Sequence, residues 1–95
     1  MSENSKIVFI GRKPAMSYVL AIITSLSTSN NKEITLKARG QAITTAVDVA
    51  EITRSRFLKD LKVANIAIGT EQMPPREGES GARAVSTMEI TLSKD

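Results

Sequence analysis

Glu-Ile-Thr-Leu-Lys-Ala-Arg, residues 33–39, is the stretch that decides the fold. Its apolar side chains, Ile34, Leu36 and Ala38, occupy every second position, and polar or charged residues lie between them. Because successive side chains of a strand point to opposite faces, this alternation predicts a strand with one buried and one exposed face. Gly40 follows and is expected to end the strand.

An amphipathic helix is predicted on each side of this strand. Before it, Pro14 suits a first helical position, and the helix is expected to run to about Leu26. The apolar positions at helical spacing in this segment are Met16, Val19, Leu20 and Ile23. After the strand, a second helix is expected from Gln41 to about Leu58. Its apolar stripe consists of Ile43, Ala46, Val47, Ala50 and Phe57.

Three further strands complete the pattern. Residues 6–10, Lys-Ile-Val-Phe-Ile, form a short apolar run that is typical of a central strand buried on both faces. Residues 63–72 and 84–93 predict two more strands, and the polar loop at 73–82 between them predicts an antiparallel hairpin. The residues expected to share a face are Ala64, Ile66 and Ile68 in the third strand and Met88, Ile90 and Leu92 in the fourth.

The element order is therefore β-α-β-α-β-β, within a single domain that covers residues 1–95. The first β-α-β unit predicts a parallel strand pair with a right-handed crossover. Since each helix has one apolar stripe, both helices are expected to pack on one face of a four-stranded mixed sheet. The fold class is α+β, a two-layer α/β sandwich with a long hairpin of the last two strands.

The composition favours binding over catalysis. The chain has neither cysteine nor histidine, so disulfides, thiolate chemistry and the commonest general base and metal ligand are absent. Its carboxylates show no metal-ligand spacing, and no glycine-rich nucleotide loop is present, so no catalytic residue, metal or cofactor is expected. No apolar stretch could span a bilayer and residues 1–6 do not resemble a signal peptide, so we expect a cytoplasmic protein without a membrane partner.

Positive charge is concentrated in the first two-thirds of the chain. Nine of the 13 basic residues, but only four of the 10 acidic residues, lie between residues 11 and 62. Arg12 and Lys13 stand beside a predicted helix N-terminus, where backbone N–H groups and the helix dipole favour a phosphate. Lys37 and Arg39 point together from the exposed face of the second strand. The alternative for both pairs is a solvated surface charge without a ligand.

Several segments of the chain match the signatures of a known family. In residues 10–20, Ile-Gly-Arg-Lys-Pro-Ala-Met-Ser-Tyr-Val-Leu, a Gly, two basic residues and a Pro lead into a Met-x-Tyr-Val helix. This segment resembles the opening signature of the Alba family of small basic nucleic-acid-binding proteins. Residues 33–43 resemble the family's Ile-x-(Ile/Leu)-Lys-Ala-Arg-Gly signature, and further matches lie at 46–58 and 85–90. Together these segments cover the chain from about residue 6 to residue 93.

The resemblance implies the fold that the residue pattern predicts. It also implies a homodimer that coats and compacts double-stranded DNA, and RNA as well, without strong sequence preference. Such a protein would be associated with the archaeal chromosome and would assemble further along the nucleic acid. The alternative is an RNA-binding scaffold subunit of an RNA-processing ribonucleoprotein, which is the role of eukaryotic relatives.

The resemblance further implies which residues make contacts. The expected nucleic-acid contacts are Arg12, Lys13, Tyr18, Lys37, Arg39, Gln41, Arg76 and Arg83. Gln41 stands where relatives often carry a basic residue, and the hairpin loop that holds Arg76 is acidic overall. For Tyr18, the alternative to contact with a base or phosphate is a half-buried ring whose hydroxyl is satisfied locally.

Contacts between proteins follow from the same resemblance. The expected contacts between neighbouring dimers are Arg54, Arg56 and Phe57, and the alternative for Phe57 is packing in the core. The dimer interface itself is expected on the outer surfaces of the third and fourth strands and the second helix.

Overall fold

The computed structural model describes residues 5–28 and 32–94. The elements in chain order are β1 (Ser5–Phe9), α1 (Ala15–Thr28), β2 (Glu33–Arg39), α2 (Ala42–Ile52), a π-helical turn (Thr53–Phe57), β3 (Leu61–Met73) and β4 (Arg83–Lys94). This order confirms the predicted β-α-β-α-β-β pattern, and the bounds of β2 agree with the alternation in its sequence. No helix in the described part of the chain is long and apolar enough to cross a membrane.

The four strands form one mixed sheet in the order β1-β2-β4-β3. β1 runs parallel to β2, and β4 runs antiparallel to both of its neighbours. The predicted parallel first pair and the predicted final hairpin are therefore confirmed. The strand order also places β4 in the centre of the sheet, between β2 and β3.

The prediction that the first strand is central and buried on both faces is wrong, because β1 lies at an edge of the sheet. Val8 packs against the core, whereas Ile7 and Phe9 are exposed on the opposite face. A strand can thus be apolar on both faces without being covered on both. Which face of the strand is covered depends on where the helices pack, and the sequence of residues 6–10 alone does not determine that.

The core lies between the sheet and the two helices. The largest fully buried side chains are Ile22, Ile34, Leu36, Leu92, Val19, Val49 and Thr53. Each buried aliphatic side chain of this size contributes about 1.5–3 kcal/mol relative to an exposed position. The alternating positions of β2 supply the floor of this core, as the sequence predicts.

The buried face of α1 is rotated relative to the predicted stripe. Of the predicted stripe, Val19 is fully buried and Ile23 packs against the core, whereas Met16 and Leu20 are exposed. Ile22 and Leu26 complete the buried face. The helix is apolar around much of its circumference, so two overlapping stripes satisfy the same spacing rule. Packing against the sheet selects between them.

The second helix changes its winding near its end. Thr53 is fully buried, and its Oγ1 donates a hydrogen bond to Val49 O at 2.8 Å. The Leu58 N–H donates to Thr53 O at 2.8 Å and closes the wider π-helical turn. Ala46 and Ala50 of the predicted stripe are buried and Ile43 packs against the core, whereas Val47 faces solvent, contrary to the prediction. The π turn directs the residues that follow Thr53 away from the path of a regular α-helix.

The β3–β4 hairpin is longer than predicted and extends beyond the helices. β3 begins at Leu61, which is buried, two residues before the predicted start of the third strand at residue 63. A bulge between Val63 and Asn65 takes Ala64 out of the pairing register. The register then continues to the pair Met73 and Arg83, so residues 74–82 form the loop of the hairpin arm.

Candidate nucleic-acid interface

The loop between β1 and α1 carries the first pair of predicted contacts. Tyr18 Oη accepts a hydrogen bond from the Gly11 N–H at 2.8 Å and another from the Lys13 N–H at 3.2 Å. These two bonds tie the backbone on both sides of Arg12 to the first turns of α1. The side chains of Arg12 and Lys13 are exposed. The loop is therefore fixed while both cations remain accessible to an anion.

Tyr18 itself is only 8% exposed and belongs to the core. Its ring presents no open face on which a base could stack. Of the two alternatives for this residue, the structure favours the local one, because its hydroxyl oxygen serves the backbone of the loop. Tyr18 positions the two cations, a role that the spacing of these residues in the sequence does not show.

The second pair of cations lies at the same end of the sheet. The Ile10 N–H donates to Lys37 O at 2.8 Å, which places the β1–α1 loop beside the last residues of β2. Lys37 and Arg39 both lie on the sheet face opposite the helices. Because β1 and β2 are parallel, their carboxyl ends lie at the same end of the sheet and bring the two cationic pairs together. The surface formed by Arg12, Lys13, Lys37 and Arg39 is called the cationic edge below.

A tight exit from β2 completes this edge. Gly40 has a φ of 59°, a left-handed conformation that favours glycine. Its N–H donates to Ser86 O at 2.9 Å and so joins the turn to β4. Gln41 follows directly, is exposed, and makes no side-chain hydrogen bond to the start of α2. Its amide is thus presented beside the cationic residues.

Both cations of β2 have acidic neighbours within the chain. Arg39 Nη1 lies 2.8 Å from Glu71 Oε1, and Lys37 Nζ lies 3.6 Å from Glu89 Oε2. All four side chains are between 36% and 58% exposed. Exposed pairs of this kind contribute only about 0–1 kcal/mol, so a phosphate could replace the carboxylates at small cost. Sequence reasoning missed these pairs because they depend on the strand register.

The hairpin arm extends beyond this edge. Arg39 is in register with Thr87, so Arg83 lies four residues further along β4, about 13 Å away. Arg76 is exposed in the loop of the arm, where its N–H donates to Glu79 Oε1 at 3.1 Å. Arg83 lies at the base of this loop, and its Nε is buried without a hydrogen-bond partner among the described residues. These two arginines therefore stand apart from the other predicted contacts.

The residues predicted to join neighbouring dimers lie at the opposite end of α2. Phe57 is 46% exposed, so its ring is not part of the core. Arg56 is exposed beside it. Arg54 has partners within the chain, since its Nη1 lies 2.6 Å from Glu51 Oε2 and its Nε donates to Leu61 O at 3.3 Å. The structure thus leaves Arg56 and Phe57 accessible, whereas Arg54 has local partners.

Acidic side chains were the remaining candidates for a metal site. Among residues 5–28 and 32–94, no group of three or more Asp or Glu side chains could hold a metal ion. The cationic edge instead carries basic side chains and other hydrogen-bond donors, which are the groups that bind phosphate oxygens.

Comparison with known proteins agrees with this description. The model of the Alba family matches residues 6–70. "DNA/RNA-binding protein Alba 1" of Archaeoglobus fulgidus is 52% identical over 94 residues, which are 99% of this chain and 99% of that protein. "DNA/RNA-binding protein Alba" of Thermoplasma volcanium is 50% identical over 94 residues and is covered completely, with 99% of this chain aligned.

Solved structures show the same likeness. The structure of Alba from Thermoplasma volcanium superposes with a TM-score of 0.83 at 49% identity, over 93% of this chain and 99% of that one. An Alba protein from Trypanosoma brucei superposes with a TM-score of 0.69 at 26% identity, over 99% of this chain and 71% of that one. With this family match, these identities and the same mixed α+β sheet, the chain belongs to the Alba family.

Proposed function

We propose that the protein binds double-stranded DNA and RNA through their phosphate backbones, without strong sequence preference and without catalysis. The observation that carries this proposal is the rigid loop in which Tyr18 holds the backbone around Arg12 and Lys13 while both side chains face solvent. The names of the archaeal relatives, which describe DNA/RNA-binding proteins, support the same function.

The proposed contacts are to the backbone because the available groups are cationic and exposed. Each Lys or Arg that neutralises a phosphate releases a condensed counterion, so the affinity falls as salt rises. Such contacts orient a protein on a duplex but carry no sequence information themselves. The residues proposed to make them are Arg12, Lys13, Lys37, Arg39 and Gln41, with Arg76 and Arg83 of the arm; Tyr18 supports the loop.

We assign the homodimer interface to the exposed apolar part of the hairpin and to α2. Ile66 and Ile68 lie on the sheet face that carries the helices, in register with Ile90 and Met88, but Ile68 is 78% exposed. Val47 of α2 is exposed on the same side of the sheet. Exposed apolar side chains on one side of the sheet favour association, and a two-fold arrangement would cover them with the same surface of a second copy.

A dimer would carry two cationic edges and would coat a duplex with neighbouring dimers in contact. Arg56 and Phe57 are exposed at the far end of α2 and are the proposed contacts between dimers. A protein that coats and compacts DNA in this way would be cytoplasmic and associated with the chromosome. Contacts between neighbouring dimers through Arg56 and Phe57 would make binding to a long duplex cooperative.

Equilibrium binding to matched duplex DNA, duplex RNA and single strands, measured by fluorescence anisotropy across a salt series, tests the proposal. We expect tight, strongly salt-dependent binding to duplexes of unrelated sequence. Absence of binding at low salt would refute it. A single defined RNA retained in stoichiometric amount would instead favour a scaffold subunit of an RNA-processing ribonucleoprotein.

A further inference from the structure

The outer face of the sheet carries an open hollow of about 500 Å³ close to the cationic edge. The side chains that line it on this face are Phe9, Lys37, Arg39, Glu71, Thr87 and Glu89. Both helices pack on the other side of the sheet, so neither of them covers this hollow. It includes two of the proposed duplex contacts, Lys37 and Arg39, and lies apart from the loop that carries Arg12 and Lys13.

Phe9 is the unusual residue of this surface. It is 73% exposed, although a phenylalanine side chain is stabilised by burial away from water. Its register partner on β2 is Lys37, which places an exposed aromatic ring and a cation side by side on one face. Glu89 follows next in the same row across the sheet.

Two small residues lie on β3, at the edge of the sheet opposite β1. Ala67 is the register partner of Glu89 on β3, and Gly69 is the partner of Thr87. A Cβ added to Gly69 would lie 3.3 Å from Thr87 Oγ1, so a larger residue there would press on a side chain that lines the hollow. Across the sheet, the hollow has the aromatic ring of β1 on one side, the cations of β2 at its centre, and the carboxylates of β4 and β3 beyond them.

We propose that this hollow binds one unpaired nucleotide of single-stranded nucleic acid, with its base stacked on Phe9 and an adjacent phosphate on Lys37 or Arg39. An exposed aromatic ring beside cations is the arrangement that holds single strands, because every base has a π face and every nucleotide a phosphate. A base inside a duplex cannot use such a ring, since its faces are already stacked. The inference rests on the proposed function only through the two shared cations.

The polar rim suits a nucleotide better than a protein partner. Arg39 and Lys37 can move from the carboxylates to a phosphate because these exposed pairs are weak. The released carboxylates of Glu71 and Glu89, with Thr87 beside them, can then accept hydrogen bonds from the amino groups of a base. A stable protein interface needs about 1,200–2,000 Å² of buried surface, far more than one ring and its charged rim offer.

The proposal is tested by comparing Phe9→Leu, which removes the aromatic ring but keeps a large apolar side chain, with Phe9→Tyr, which keeps the ring. The probes are a single-stranded oligonucleotide that contains 2-aminopurine and a duplex of the same length. We expect Phe9→Leu to bind the single strand roughly ten-fold more weakly, to lose quenching of 2-aminopurine, and to bind the duplex as the wild type does. Phe9→Tyr should retain both properties, because it keeps the aromatic ring.

Ile7→Ala is the matched control, since Ile7 is also apolar and exposed on the outer face of β1. It should leave single-strand binding unchanged. Unchanged single-strand binding in Phe9→Leu would overturn the inference, as would an equal loss on the duplex or a change in oligomeric state, which would show that a second copy covers the ring. Wild-type protein that binds duplexes but not single strands refutes only this inference, whereas wild-type protein that binds neither refutes the proposed function.

Discussion

Arg39 Nη1 lies 2.8 Å from Glu71 Oε1, so the guanidinium at the end of β2 is paired with a carboxylate at the base of the hairpin arm. Lys37 has a similar neighbour in Glu89. Half of the cationic edge is therefore matched by the protein's own carboxylates before any ligand arrives. Under the proposed function, a phosphate must compete with these carboxylates, and this competition sets part of the affinity.

Removal of the Glu71 carboxylate is expected to tighten duplex binding. Glu71→Gln frees Arg39 from a pair worth about 0–1 kcal/mol, so the dissociation constant should fall by up to about five-fold. Glu77→Gln is the matched control, because it removes the same charge from an exposed position of the same arm. Anisotropy titrations at one salt concentration compare the two variants. An equal gain in both would show general repulsion rather than release of Arg39.

Tyr18→Phe is expected to weaken binding although Tyr18 lies in the core. The change leaves the N–H groups of Gly11 and Lys13 without their acceptor, which should cost about 1–3 kcal/mol in the free energy of unfolding. The loop then loses its fixed position, and duplex affinity should fall while the protein still folds. Urea unfolding and anisotropy measure the two effects. A loss of stability with unchanged affinity would contradict the positioning role.

Phe57→Ala is expected to lower the cooperativity of binding. Because Phe57 is 46% exposed, the truncation should cost about 1 kcal/mol or less of stability, far below the loss at a buried phenylalanine. Binding isotherms on long duplexes should become less steep, while the affinity for a short duplex that holds a single dimer stays the same. Failure of the variant to fold would show instead that the ring is required by the core.

Ile68→Lys is expected to disrupt the homodimer. The side chain is 78% exposed in the protomer, so a lysine there is compatible with the fold but not with an apolar interface. Light scattering should give the dimer mass for the wild type and the protomer mass for the variant. Leu20→Lys, at an exposed apolar position of α1, is the control and should remain dimeric. Dimers in both variants would place the interface elsewhere.

Patterns local in the sequence predict local structure well in this chain. The alternation over residues 33–39 fixes the bounds and the buried face of β2, because only one register of a strand satisfies it. The two helices are predicted in the correct places, but the buried face of α1 only in part. Val19 and Ile23 pack in or against the core as predicted. Its apolar residues fit two stripes, and only contact with the sheet decides that Ile22 is buried whereas Met16 and Leu20 are exposed.

Long-range relationships are the part that the sequence does not predict. The edge position of β1, and with it the exposure of Phe9, follows from the strand order. The pairing of Arg39 with Glu71 depends on the register of three strands. The cations of the candidate site were recognisable from charge and motif, whereas the residues that fix or oppose them became visible only in three dimensions.

The central claim is that Arg12 and Lys13 neutralise phosphates, and the salt dependence of binding tests it most directly. Each phosphate contact contributes about 0.9 to the slope of log affinity against log salt on duplex DNA. Arg12→Ala/Lys13→Ala should therefore flatten this slope by about two units per bound protomer. The control, Lys32→Ala/Lys59→Ala, removes the same charge from exposed positions outside the cationic edge and should leave the slope nearly unchanged. Equal slopes for the two double variants would contradict the account.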